Sequence, residues 1–288
     1  MKYLLAFAIG CVAFASCKEK GDYTKLTNDP LLYCKTVKQL NDVVLGNNFP
    51  PMIAARNYAY ANIAAYECIA AGSNNYQSLS GQIKHLPQMP KVPAGKTIDY
   101  HLAALLSFTK VGNAVTFPEG SLMDYYAKLK NEADSAGMPG DVLDNTIAFS
   151  DTIVATVMAW SKKDNYAQTR SASKFTVKDE EGRWIPTPPM YGSAVEPHWM
   201  EIRTLVMDSA SQCMPVRPPK FDLKNKNSEY YGYMMEVKKI GDSLTAEQKN
   251  IADFWDDNPF KLNVNGHVMF ATKKFSPAGH WMNIVGIA

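Results

Sequence analysis

The sequence predicts an all-α protein, a helical bundle with one long Pro- and aromatic-rich wrapping loop, and three observations predict it. Apolar residues recur at helical spacing in stretch after stretch, each bracketed by Pro, Gly or a capping side chain. No stretch alternates convincingly at the strand period. Residues 164–227 drop the helical period for Pro and aromatics, as in "WIPTPPMYGSAVEPHW" and "MPVRPPKF", which suits an irregular, PPII-like segment.

The elements follow in order. Asp29 is a candidate N-cap with Pro30 at the first helical position; Tyr33, Val37, Leu40 and Val44 form a stripe, and Gly46 closes it. Residues 50–72 read as the strongest helix, with a Pro start, an Ala-rich body suited to close packing, and a stop at Gly72. Pro87, Pro90, Pro93 and Gly95 punctuate 78–96 as a loop. Three further helices are predicted over 97–117, 120–137 and 139–163, with Gly/Pro breaks between them. Helical signals return at 228–242 and again after Thr245, which with Gln248 matches a capping box. Ser276-Pro277 opens a last helix with Trp281, Ile284, Val285 and Ala288 on one stripe. No capping Gly or basic turn closes that helix, so the sequence is expected to continue beyond it.

Bulk properties narrow the function. The 288 residues carry 30 basic and 28 acidic side chains, a formal charge of +2, with no basic block to hold nucleic acid. A mean hydropathy of −0.24 and the lack of a long apolar run after the start exclude a multi-span membrane protein. The start itself, "MKYLLAFAIGCVAFASC", has Lys2, an apolar stretch to Phe14 and small residues before Cys17. Residues 1–16 therefore read as a signal peptide. The small-small-Cys ending resembles a bacterial lipobox, implying acylation of Cys17, a lipid-anchored tether over 17–28, and a cell-envelope location, on the outer membrane, for the body at 29–288. Cys34, Cys68 and Cys213 are too scattered for a disulfide framework; Cys34 and Cys68 read as small buried hydrophobes.

Few constellations could carry chemistry. The five histidines, His85, His101, His198, His267 and His280, show no metal-ligand spacing. Asp253, Asp256 and Asp257 could share one helix face, but carboxylates at a helix C-terminus oppose its dipole. Arg56 and Glu67 interrupt the Ala-rich helix about 16 Å apart along its axis, too far to pair. Each is expected to anchor a loop rather than to react. G-x-S-x-G and phosphate-binding glycine loops are missing from the sequence.

Several stretches in order carry a resemblance: "ARNYAYANIAAYECI", "WIPTPPMYGSAVEPHW", "MPVRPPKFD", "LTAEQKNIADFWDDNP", Gly266-His267 and "SPAGHW". Over roughly residues 30–288 the chain resembles the N-terminal part of the vanadium-dependent haloperoxidase and type 2 phosphatidic acid phosphatase superfamily, in its secreted bacterial lipoprotein branch. The resemblance implies a helical bundle cradling vanadate or phosphate, and either halide oxidation with peroxide or phosphate-ester hydrolysis. Cationic side chains and two histidines do that work, from the motifs K-x6-R-P, P-S-G-H and S-R-x5-H. Here Arg217-Pro218 has Ala210 where Lys is required, the nearest string to P-S-G-H is Pro277-Ala278-Gly279-His280, and Ser-Arg does not occur. No catalytic residue carries over. Trp255, Asn258 and Pro259, with His280 and Trp281, match family positions and are candidates for the pocket wall. The resemblance thus implies a chain that stops before its catalytic half, is inactive and without a cofactor alone, and is completed by that half or by self-association. The alternative is an α-helical envelope lipoprotein that binds glycans or acts as a scaffold.

Overall fold

The computed structural model describes residues 22–188, 190–258, 261–265, 267–272 and 276–288; Cys17, Pro259 and the signal segment lie outside them. The described chain is mainly helical. It divides into two compact units, one formed by the chain to Ser161 with Ala278–Ala288, the other by Lys162–Pro277.

The first unit contains α1 (Tyr23–Thr27), α2 (Pro30–Gly46), α3 (Pro51–Ala71), α4 (Tyr100–Val115), α5 (Met123–Ser135) and α6 (Gly140–Ser161). α1 shortens the expected tether: Tyr23 and Leu26, three apart on one helix face, pack against the core, and Thr27 Oγ1 donates to Asp99 Oδ2 at 2.9 Å. α2 begins as its sequence requires, with Asp29 Oδ1 accepting from Leu31 N at 3.0 Å and Pro30 at the first position.

α4 is the central helix, packed by α2, α3, α5 and α6 and buried nearly all round, with Leu106, Phe108 and Val111 fully out of solvent. α3 approaches it closely because Ala54, Ala61, Ala64 and Ala65 are at most 3% exposed, and small side chains let two helix backbones close up. Gly72 ends α3 under the Tyr100 ring, where a Cβ would lie 2.2 Å from a ring carbon, so no larger residue fits unless the ring moves. α6 is long and apolar enough to cross a membrane by composition, yet here it buries Phe149, Ile153, Val157 and Trp160 in the core. The buried hydrophobic residues among those described all lie between Leu32 and Trp160.

The loop between α3 and α4 is irregular, as the prolines predict, and is tied down by side chains. Glu67, 1% exposed, accepts from Ser78 Oγ at 2.8 Å and from Leu79 N at 2.7 Å, while Trp160 Nε1 donates to Lys84 O at 3.1 Å. Glu67 is thus the loop anchor its position suggested; Arg56 instead lies over the Tyr60 ring at 4.7 Å. Cys68 is buried beside Ser107, and burial pushes its thiol up to about 12, which makes it inert. Cys34 departs from expectation: it is only half-buried, with Sγ 3.5 Å from Gly286 O.

The second unit holds α7 (Tyr166–Ser171), two 3-10 turns (Trp199–Glu201 and Ala210–Cys213), α8 (Glu229–Asp242), α9 (Ala246–Phe254) and a hairpin of β1 (Lys261–Asn265) and β2 (Val268–Thr272). The capping box forms as read: Thr245 Oγ1 accepts from Gln248 N and the Gln248 side chain accepts from Thr245 N. The antiparallel hairpin, in which Asn265 pairs with Val268, was not expected. The sequence carried a signal for it, since polar and apolar residues alternate over Lys261–Asn265 and Gly266, a turn former, follows. α9 ends at Phe254, so Asp253, Asp256 and Asp257 do not share a helix face. Among the described residues no group of three His, Cys, Asp or Glu could hold a metal ion.

The last helix, α10 (Pro277–Ile287), carries the stripe read from sequence, and it is open to solvent: Trp281 and Val285 are each 70% exposed.

Candidate functional site

The irregular segment that carries "WIPTPPMYGSAVEPHW" builds a cleft of about 360 Å³ inside the second unit. α7 and the residues after it supply one side, with Arg170, Lys174 and Phe175; the Pro-rich stretch supplies the other, with Trp184, Glu196 and His198. The sequence makes this shape because Pro at 186, 188, 189 and 197 removes backbone donors and blocks helix, leaving side chains to hold the chain in place. Phe175 and Trp184 meet edge to face with ring centroids 5.6 Å apart. Tyr191 and Glu196 sit in the left-handed backbone region, at φ 47° and 50°, a conformation costly to residues with a side chain and held here by their neighbours.

Arg170 and His198, two of the cleft's charged groups, are already matched. Arg170 grips Glu196 with both terminal nitrogens, Nη1 donating to Oε1 at 2.8 Å and Nη2 to Oε2, and lies over the Tyr166 ring at 4.6 Å. His198 donates from Nδ1 to Glu201 Oε1 and from Nε2 to Ser173 O, both at 2.8 Å. The bond to Glu201, then that to the Ser173 carbonyl, raises the His198 pKa above its ordinary 6.5. The doubly bonded imidazolium is therefore stabilised by the fold. That contribution is complete below pH 6.5 and is lost as pH rises through the raised folded value. An NMR titration should place the His198 midpoint above 6.5, and Glu201→Gln should lower it; a midpoint at or below 6.5 would contradict the two bonds.

This chemistry does not fit vanadate. An oxyanion cage needs cations whose charge is free to meet the ligand's oxygens. In the cleft Arg170 is satisfied by Glu196 and His198 by Glu201, and both carboxylates would repel an added anion. Lys174 is a single surface cation and makes no cage.

The residues that the sequence offered for a pocket wall fall in different parts of the structure. Trp255 is 65% exposed, caps α9 and meets Phe254 edge to face, and Asn258 N donates to Asp256 Oδ1 in a tight turn; both belong to the second unit. His280 and Trp281 lie on α10 within the first unit, His280 half-buried and Trp281 exposed. Sequence reasoning passed over Arg170 and the His198–Glu201 pair. The i, i+3 spacing of His198 and Glu201 was a visible signal, but the partners Glu196 and Ser173, 26 and 25 residues away along the chain, were not.

No family model and no curated protein matches the chain. Among solved structures, the crystal structure of a bacterial vanadium-dependent iodoperoxidase superposes with a TM-score of 0.78 at 34% sequence identity. The match covers 88% of this chain and 60% of that one, so the chain spans about three fifths of the length of the protein it matches.

Proposed function

We propose that this chain, which belongs to the vanadium-dependent haloperoxidase and type 2 phosphatidic acid phosphatase superfamily, is the helical front portion of a halide-oxidising peroxidase. The observation that carries this reading is a match at 34% identity that runs through 88% of this chain and covers 60% of the iodoperoxidase. Haloperoxidase chemistry is preferred to phosphatase chemistry because the matched protein is an iodoperoxidase.

On this reading, the residues that hold vanadate belong to a further segment carrying K-x6-R-P, P-S-G-H and S-R-x5-H. That segment packs on apolar surface left open here. On α10, Trp281, Val285 and Ile287 are 70–79% exposed, and an apolar patch of this kind is usually covered by a partner. Sequencing the gene past codon 288 tests the proposal. An open frame with the three motifs supports it, and a stop codon at that point overturns it.

The protein is also proposed to reach the cell envelope as a lipoprotein acylated at Cys17. Cys17→Ser in the expressed full-length precursor should move the protein from the membrane fraction to the soluble fraction, because a lipid chain contributes about 0.8 kcal/mol per buried CH₂. Equal membrane retention of Cys17→Ser and the unaltered protein would rule out that anchor.

A further inference from the structure

We propose that a cavity in the first unit is a binding site for a neutral sugar. The cavity measures about 590 Å³ and lies among the N-terminal end of α2, α3, the start of α4 and the turn after α3. That volume falls within the range of about 300–1,000 Å³ typical of small-molecule sites. It plays no part in the peroxidase reading, and its walls come from Thr27 to Leu105, within a single unit.

Three phenol rings, Tyr33, Tyr66 and Tyr76, line it together with the aliphatic side chains of Ala65, Ile69 and Leu105. Tyr66 and Tyr76 meet edge to face with centroids 6.4 Å apart, and Tyr76, 55% exposed, stands at the opening. The Tyr66 hydroxyl is fixed by donation to Gln77 O at 2.9 Å. Aromatic faces of this kind take up the C–H faces of a sugar ring as they take up other apolar surface.

The polar groups select a hydroxylated, uncharged ligand. His101 Nδ1 donates to Asn28 Oδ1 at 2.5 Å, which leaves His101 Nε2 as an acceptor and the Asn28 amide NH₂ as a donor. Asp29 spends one carboxylate oxygen on Leu31 N and keeps the other as an acceptor. The Tyr33 hydroxyl donates to Asn62 Oδ1, and Asn62 Nδ2 donates to Tyr58 O at 2.8 Å, so these groups are held in fixed orientations. Burial pushes the Tyr33 phenol up to about 12, so it stays neutral across the physiological range. No Lys or Arg lines the cavity, and Asp29 is negative, so an anionic ligand is disfavoured. A flat apolar molecule would make no use of the Asn28, Asp29 and His101 groups. A sugar ring offers an apolar face together with hydroxyls that both donate and accept, and so matches both halves of the lining.

The test uses purified residues 18–288, with maltose and cellobiose as probes and phenol as the aromatic comparison, read by saturation-transfer NMR and calorimetry. The expected result is saturable binding of at least one disaccharide at millimolar concentration. Tyr76→Ala, on an exposed turn, should weaken that binding about tenfold, the loss of one aromatic contact, without changing the melting temperature. His101→Ala should weaken it as well, and Arg170→Ala, in the other unit, should not. Absence of disaccharide binding, binding of phenol alone, or disaccharide binding unchanged in Tyr76→Ala would each overturn the proposal. None of these outcomes depends on whether the chain is part of a peroxidase.

Discussion

Residues 18–288, supplied with vanadate, hydrogen peroxide and iodide or bromide, should oxidise no halide above the uncatalysed background. They should also leave p-nitrophenyl phosphate intact. The reason is electrostatic. Turnover in this superfamily depends on donors fixed around an oxyanion, and losing even one such donor typically costs about 10²–10³ in rate. This chain lacks all three motifs that supply them. In the 169–198 cleft Arg170 is matched by Glu196 and His198 by Glu201, so neither has charge to spare for vanadate, and Lys174 alone makes no cage. Vanadium NMR of the purified chain should accordingly show only free vanadate. Halide oxidation that survives in the unaltered chain but vanishes in Arg170→Ala would overturn the assignment and move the oxyanion site into the 169–198 cleft. If a longer product of the same gene oxidises halide while this chain does not, the division proposed above stands.

Glu67→Ala should be among the most damaging single substitutions in the first unit. Its carboxylate is 1% exposed and accepts from Ser78 Oγ and Leu79 N, the two bonds that fix the start of the loop between α3 and α4. Hydrogen bonds to a charged group contribute roughly 1.5–3 kcal/mol each, and removing the acceptor takes from Leu79 N its Glu67 partner and leaves Ser78 Oγ only Ser80 Oγ as acceptor. A net loss of about 3 kcal/mol follows, which for a domain of this size lowers the melting temperature by about 6–12 °C. Glu67→Gln keeps one acceptor oxygen and should lose less. Circular dichroism melts of the two variants decide the matter. A Glu67→Ala melt within about 2 °C of the unaltered protein would mean that the loop is held by other contacts, such as Trp160 Nε1 on Lys84 O.

Much of the fold was legible because its signals are local. Asp29 with Pro30 starts α2, Thr245 with Gln248 starts α9, and Gly72 closes α3; each device acts within four residues and needs no knowledge of the rest of the chain. The missing oxyanion motifs are equally local, since a fixed spacing is either present or not. Where local signals were weak or mixed, the reading failed. The Asp253, Asp256 and Asp257 set looked like one helix face, but the helix stopped at Phe254. The polar start looked like a free tether, yet Tyr23 and Leu26 had a core to pack on.

What the sequence determined by itself is the helical class, most helix starts and stops, and that the strings K-x6-R-P, P-S-G-H and S-R-x5-H do not occur in these 288 residues. What only the tertiary structure decided is which groups meet. Glu67 finds Ser78 and Leu79 across a turn, Arg170 finds Glu196 across 26 residues, and the tyrosine-lined cavity joins Thr27 to Leu105. The physical reason is range. Capping and helical periodicity are set by backbone geometry over a few residues, whereas burial, ion pairing and cavity shape depend on side chains that only the packed chain brings within a few ångströms of one another.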